Sequence, residues 1–351
     1  MRSNFCVLPE FRLRMAMMTI QEIEAACEAM QPLDFSRHEV DAPALLLRKT
    51  FYPHGFPAEV STNCTEVLDI MEDLWGKFEK QHDTEPILAN VYVVEGSSTE
   101  CPPAPIYRFM KPLLLGVADG DNYCVSDLQR TKTQITISRA ALRSRLYAGY
   151  FFLGTPVTHV ATRFTTPVHA GCVALDGKGV LLCGDSGAGK STLSYACARA
   201  GWTYVADDGS FVINDRDDRM VTGDCHRVRF RPATADLFPE LKGLEITPRA
   251  AGKPSIELPT APMPHITCAQ NAQADYIVFV NRHSGCSQEL RPYRKDVARY
   301  AMQQTFYGLP EMRRKHNETI ERLLEAEVFE LRYTELDWGI ERLQRLVREG
   351  R

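Results

Sequence analysis

Eight consecutive residues, Gly184, Asp185, Ser186, Gly187, Ala188, Gly189, Lys190 and Ser191, have the types and the order that hold phosphate. A glycine, four free positions and then Gly-Lys-Ser/Thr is the phosphate-loop pattern. Its glycines let backbone N–H groups converge on an anion, and the start of the next helix adds positive potential. The pattern assigns Lys190 to the β- and γ-phosphates and the Ser191 hydroxyl to Mg²⁺. It requires a strand before the loop and a helix after it. Apolar residues 180–183 supply the first, and residues 192–200 read as the second.

Phosphoryl chemistry also needs a carboxylate near the metal and a group to handle the nucleophile. Asp207 and Asp208 close a short apolar strand, 203–206, soon after the loop helix. In open α/β sheets ligands bind just beyond such strand ends. One carboxylate would bind Mg²⁺ and the other would take a proton from an attacking hydroxyl. A solvated turn at 207–209, with Gly209 completing it, is the plainer alternative. His169 lies on the strand leading into the loop, where a histidine is either a satisfied core or edge residue or a functional partner. Arg227, Arg229 and Arg231 recur at period two, so an extended chain points all three to one face. That face is an anion platform or a solvated surface. Arg291 and Arg294, around Pro292 and Tyr293, form a second candidate phosphate clamp.

The elements that must position these residues follow from periodicity and turn chemistry. Helical spacing predicts helices over 19–30, 65–80, 140–153, 294–305, 311–326 and 336–348. Strands are expected over 87–94, 113–118, 123–125, 133–137, 168–175, 179–183, 203–206, 211–213, 276–280 and 328–333. Asp176-Gly177 is a hairpin signal between two of them. Residues 97–105 read as a loop, and a domain boundary is expected between Gly154 and Val168.

Composition bounds the class. The chain has 351 residues, 44% hydrophobic and 25% charged, which suits a globular protein of one large or two medium domains. A formal net charge of −4 gives no electrostatic case for nucleic acid or an anionic membrane as partner. Eleven cysteines without a Cys-x-x-Cys pair argue against a zinc site or a disulfide framework, and Cys172, Cys183 and Cys197 sit in apolar stretches. A reducing, cytoplasmic location is the expectation. No apolar run approaches a membrane span, and Glu10, Arg12 and Arg14 interrupt any signal-peptide core.

His169, the hairpin, the loop at 184–191, the helix ending Arg199-Ala200-Gly201 and Val205-Ala206-Asp207-Asp208 together resemble the catalytic domain of the HPr kinase/phosphorylase family. That resemblance implies an α/β phosphate-loop domain over 161–351, akin to phosphoenolpyruvate carboxykinases, with an additional N-terminal α+β region over 1–160. It implies ATP and Mg²⁺, with residues 184–192 around the nucleotide. Lys190 would contact the β/γ-phosphates, Ser191 and Asp208 would attend the metal, and Asp207 would be the base on a serine-type hydroxyl. His169 would stand near the transferred phosphate. The acceptor would be a protein, a peptide or a small molecule, and a homo-oligomer is a further expectation. Thr192 stands where family members usually carry Glu. Their Gly-Leu-Gly-Ile signature has only an echo at Gly243-Leu244-Glu245-Ile246, and Tyr293 replaces Gly in an Arg-Pro-Gly-Arg loop.

Three functions fit these residues. The first is an ATP-dependent kinase with Asp207 as base. A nucleotide-sensing regulator would bind ATP and shift between two states without transfer. A plain ATPase would need a residue that orients water.

Overall fold

The computed structural model describes residues 45–248, 253–260, 263, 265–282, 287–304 and 308–350, with Ala25 and Ala29. Those two residues apart, the helix expected over 19–30 lies outside the described residues. The elements below all belong to one compact unit, Leu46–Arg351.

A seven-stranded sheet comes first. Its strands are β1 (Leu47–Phe51), β2 (Ala58–Thr62), β3 (Ile87–Val94), β4 (Ile106–Met110), β5 (Leu113–Asp119), β6 (Asn122–Asp127) and β7 (Lys132–Ser138). Their order is β1-β2-β3-β7-β6-β5-β4. β2, β3 and β7 run parallel, and the remaining pairs are antiparallel. Along β3, Ile87, Ala89, Val91 and Val93 are buried and the residues between them are less so, the period of a strand with one face on a core. That core also takes Val67, Ile70 and Met71 of helix α1 (Thr65–Trp75). The expected helix over 65–80 stops early, at Gly76, yet Phe78 still packs into the same core.

The expected helix over 140–153 is corrected in shape. α2 (Arg139–Arg143) ends at Ser144, whose ψ of 81° is not helical. A π-helical stretch, Ala148–Gly154, then leads into α3 (Thr155–Ala161), so the chain does not leave the helix at Pro156. The wider coil lets Thr155 N–H bond five residues back to Tyr150, and Pro156, which has no N–H, sits harmlessly in the first turn of α3.

The second sheet carries the glycine-rich loop at 184–191. Its strands are β8 (Thr165–Val168), β9 (Ala170–Leu175), β10 (Lys178–Cys183), β11 (Thr203–Ala206), β12 (Ser210–Ile213), β13 (Met220–Gly223), and then β17 (Thr267–Cys268), β18 (Asn271–Arg282), β19 (Glu289–Pro292) and β20 (Glu327–Tyr333). The order is β17-β11-β9-β10-β18-β13-β12-β8, with β20 beside β18 and β19 beside β20. β10, β18 and β20 are parallel neighbours. β9 is antiparallel to both β10 and β11, so β11 points the same way as β10. The hairpin between β9 and β10 turns at Asp176 (φ 51°) and Gly177 (φ 79°), the left-handed pair a type I′ turn needs.

Helix α4 (Lys190–Arg199) follows the loop and is buried on nearly all sides. Leu193 and Cys197 pack with Val180 and Leu182, while Tyr195, Ala196 and Ala198 face Phe230, Phe238 and Leu241. Phe230 belongs to a small antiparallel sheet of β14 (Arg227–Phe230), β15 (Thr247–Pro248) and β16 (Pro254–Pro259), ordered β14-β16-β15, and Phe238 and Leu241 follow in the segment after β14. Helices α5 (Lys295–Gln303), α6 (Pro310–Leu323) and α7 (Leu336–Glu349) complete the unit near their expected places. The mixed α/β class with parallel strands is thus what the chain adopts. Among the described residues no helix is long and apolar enough to cross a membrane.

Candidate functional site

Because β10, β11, β18 and β20 share a direction, their carboxyl ends meet at one edge of the sheet. From that edge emerge the loop at Gly184, the pair Asp207-Asp208, Arg282 and Tyr333. Val180–Cys183 is buried throughout, as expected of a strand covered on both faces, and so fixes where the loop begins. Gly187 (φ 93°) and Gly189 (φ 100°) adopt backbone conformations that L side chains rarely take, so these two positions need glycine. At Gly189 space is short as well: a Cβ there would stand 3.2 Å from the Tyr333 hydroxyl.

Lys190 is 3% exposed and curls over the loop. Its ammonium donates to the carbonyls of Gly184 (2.9 Å) and Asp185 (3.1 Å) and lies 3.0 Å from His169 Nε2. Asp208 Oδ1 stands 3.5 Å from Lys190 Nζ and 3.5 Å from His169 Nδ1, closing a triangle of three side chains. His169 does not sit within one continuous strand over 168–175, as its apolar neighbours suggested. It occupies the bend between β8, which pairs with β12, and β9, which pairs with β10. The bend places it at the edge where the loop begins.

Asp207 is oriented differently from its neighbour. Its Oδ2 accepts the Arg229 N–H at 2.9 Å, and among the described residues its Oδ1 has no hydrogen-bond partner. Burial pushes the carboxyl up to about 6; the Arg229 N–H opposes the rise and the nearby Asp208 charge adds to it.

A cleft of about 310 Å³ opens beside the loop. Of the residues singled out in sequence, Ser186, Gly187, Gly189, Lys190, Ser191, Thr192 and Asp208 line it. Gly184, Asp185, Ala188, Asp207 and His169 are not among the lining residues, and the His169 side chain is exposed beside them. The opposite wall comes from the small sheet and the turn after β14: Arg229, Arg231, Thr234, Lys253 and Ser255. Arg227 and Arg229 do share a face of β14, but both are tied to Glu257, Arg229 at 2.7 Å. Burial works against the Glu257 charge, but Arg229 and Arg227 outweigh it and hold the carboxyl below its usual range. Arg231 lies beyond the strand and reaches the cleft.

The clamp expected at Arg291 and Arg294 is not assembled. Arg291 is bound to Glu330 and Arg294 to Asp296, and neither lines the cleft. Three contributors escaped the sequence reading. Arg282 ends β18 at the loop edge, a position readable only once β18 is known to lie parallel beside β10. Tyr333 likewise ends β20, fully buried, with a hydroxyl that has no partner among the described residues. Lys253 carried no local signal at all.

The edge suits a polyphosphate. It offers left-handed glycines before a helix start, a buried ammonium, a nearby hydroxyl on Ser191, and an unpartnered buried hydroxyl on Tyr333. Ser191 and Asp208 would hold Mg²⁺. Among the described residues no group of three or more His, Cys, Asp or Glu is arranged to hold a metal by itself. The eight described cysteines are free thiols, and burial pushes Cys172 and Cys183 up to about 12, which keeps them uncharged core residues.

No family model matches the chain, and no curated protein matches it. Among solved structures, the Hpr(Ser) kinase/phosphatase from Coxiella burnetii is similar over 52% of this chain and 99% of its own length, at 13% identity and a TM-score of 0.28.

Proposed function

We propose that the chain is an ATP- and Mg²⁺-dependent kinase that phosphorylates a serine-type hydroxyl. One observation carries the reading: a phosphate-loop backbone with its buried lysine shares a sheet edge with a carboxyl group raised to about 6. A general base works best with a pKa near the operating pH, and a positioned base contributes about 10²–10⁴ in rate.

The roles follow from placement. Lys190 and the backbone of 184–192 bind and orient the phosphates. Mg²⁺, when bound, would draw charge from the β- and γ-phosphates. His169 and Asp208 hold the Lys190 ammonium in place between them. Asp207, with Oδ2 pinned by the Arg229 N–H, keeps Oδ1 for the acceptor proton. The acceptor oxygen bonds to the γ-phosphorus, and the bond from that phosphorus to the bridging oxygen breaks. Its electron pair leaves with ADP, and the hydroxyl proton passes to Asp207.

Asp207→Asn tests the assignment. The variant is expected to bind Mg²⁺-ATP within about threefold of the parent and to lose about 10²-fold or more in transfer to acceptors in a cell extract. Undiminished transfer would remove Asp207 from the role of base. Tight ATP binding with no phosphorylated acceptor in the parent protein would favour nucleotide sensing instead.

A further inference from the structure

Two of the three cationic groups on the far wall of the cleft, Arg231 and Lys253, have no counterpart in the loop chemistry. Arg282 stands against the loop itself, its Cδ 3.7 Å from where a Gly189 Cβ would be, and with Lys190 it belongs to the nucleotide side. Across the cleft, Arg229 is neutralised by Glu257. Arg231 and Lys253 are not: among the described residues neither has an acidic partner or a side-chain hydrogen bond, and both are exposed to the cleft.

Their meeting is built into the fold. In the antiparallel pair of β14 and β16, Phe230 lies opposite Ile256. Arg231, just after Phe230, and Lys253, just before β16, therefore arrive at the same end of the small sheet. Two like charges brought to one cleft wall repel, and an anion between them relieves the repulsion. An arginine beside a lysine is also a good receiver for phosphate or carboxylate oxygens.

We propose that the acceptor is itself an anion, whose hydroxyl faces the loop while a phosphate or carboxylate on the same molecule is held by Arg231 and Lys253. The proposal rests on the kinase reading for the transfer step. The anionic group takes no part in that step and leaves with the product unchanged.

The test uses the full chain with Mg²⁺ and a saturating non-hydrolysable ATP analogue. Calorimetric titrations compare glycerol 3-phosphate with glycerol, and a serine peptide flanked by glutamates with the same peptide flanked by glutamines. The protein and its Arg231→Gln/Lys253→Gln variant are compared, with melting curves as a check on folding. In at least one pair the charged member is expected to bind about tenfold tighter than the neutral one, and the gap to shrink below about threefold in the variant. The affinity for the analogue is expected to stay within about threefold. A gap in the glycerol pair marks a small phosphorylated alcohol, and one in the peptide pair an acidic peptide. No gap in either pair, or a gap that survives in the variant, overturns the proposal. So does a loss of analogue affinity as large as the loss for the anion, which would give both residues to the nucleotide. If the analogue fails to bind at all, the kinase reading fails, and the same titrations without nucleotide still decide whether these two residues receive an anion.

Discussion

On the loop wall of the cleft, Lys190 is 3% exposed and its charge is shared among two carbonyls, His169 and Asp208. On the facing wall, Arg231 and Lys253 are exposed and lack an acidic partner among the described residues. The first arrangement is preorganised: its polar groups already hold one another in place, in buried surroundings that strengthen their interaction. The second is solvated and waits for whatever fills the cleft. On the proposed function, one wall would serve a fixed reaction and the other would select what reacts. Asp207 ties them together, since it leaves the central sheet yet accepts its hydrogen bond from Arg229 of the small sheet.

The comparison breaks most plainly at Lys190. Lys190→Ala removes the buried cation and leaves His169 and Asp208 facing each other without it. Affinity for Mg²⁺-ATP is expected to fall about a hundredfold or more, measured by titration; an unchanged affinity would mean that the loop wall is not the nucleotide wall. A smaller effect sharpens the role of Asp207. Its folded value of about 6 means that the carboxyl is protonated, and unable to take a proton, in more acid solution. Transfer is expected to level off above that pH and to drop about tenfold per unit below it. A flat profile from pH 5 to 7 would separate catalysis from this group. The smallest effect concerns stability. A carboxyl whose value rises on folding stabilises the native state below its unfolded value of 3.8, and that contribution is lost as pH rises through about 6. At pH 7.5 the Asp207→Asn protein is therefore expected to melt higher than the parent, by about 2 °C or more, with the gain vanishing near pH 4. A lower melting point at pH 7.5 would show that the buried charge is compensated.

Much of this geometry was legible in the chain. The glycine-rich turn at 184–191, the Asp176-Gly177 turn and the strands on either side announce themselves through local chemistry, because glycine conformations and apolar runs act over a few residues. The Asp207-Asp208 pair is legible as the end of a short apolar strand soon after the loop helix. What the two carboxylates do differently was not readable, since it depends on Arg229, brought in from a separate sheet. The bend at His169 was hidden for a similar reason: Val168, Ala170 and Cys172 look like one strand until two different partner strands, β12 and β10, claim its halves. Arg282 and Tyr333 became site residues only through the parallel register of β18 and β20. Arg291 failed as a clamp because Glu330, far along the chain, already holds it.

That bend also constrains how the gene can change. Val168, Ala170 and Cys172 all enter one core, while β8 and β9 are each locked in register with different partners. Adding or deleting a single codon between them would turn one strand's apolar side outward and carry the imidazole away from Lys190. Descendants of this chain should therefore accept altered side chains around His169 far more readily than any alteration in length, and lineages that have drifted beyond ordinary sequence matching should still keep this spacing.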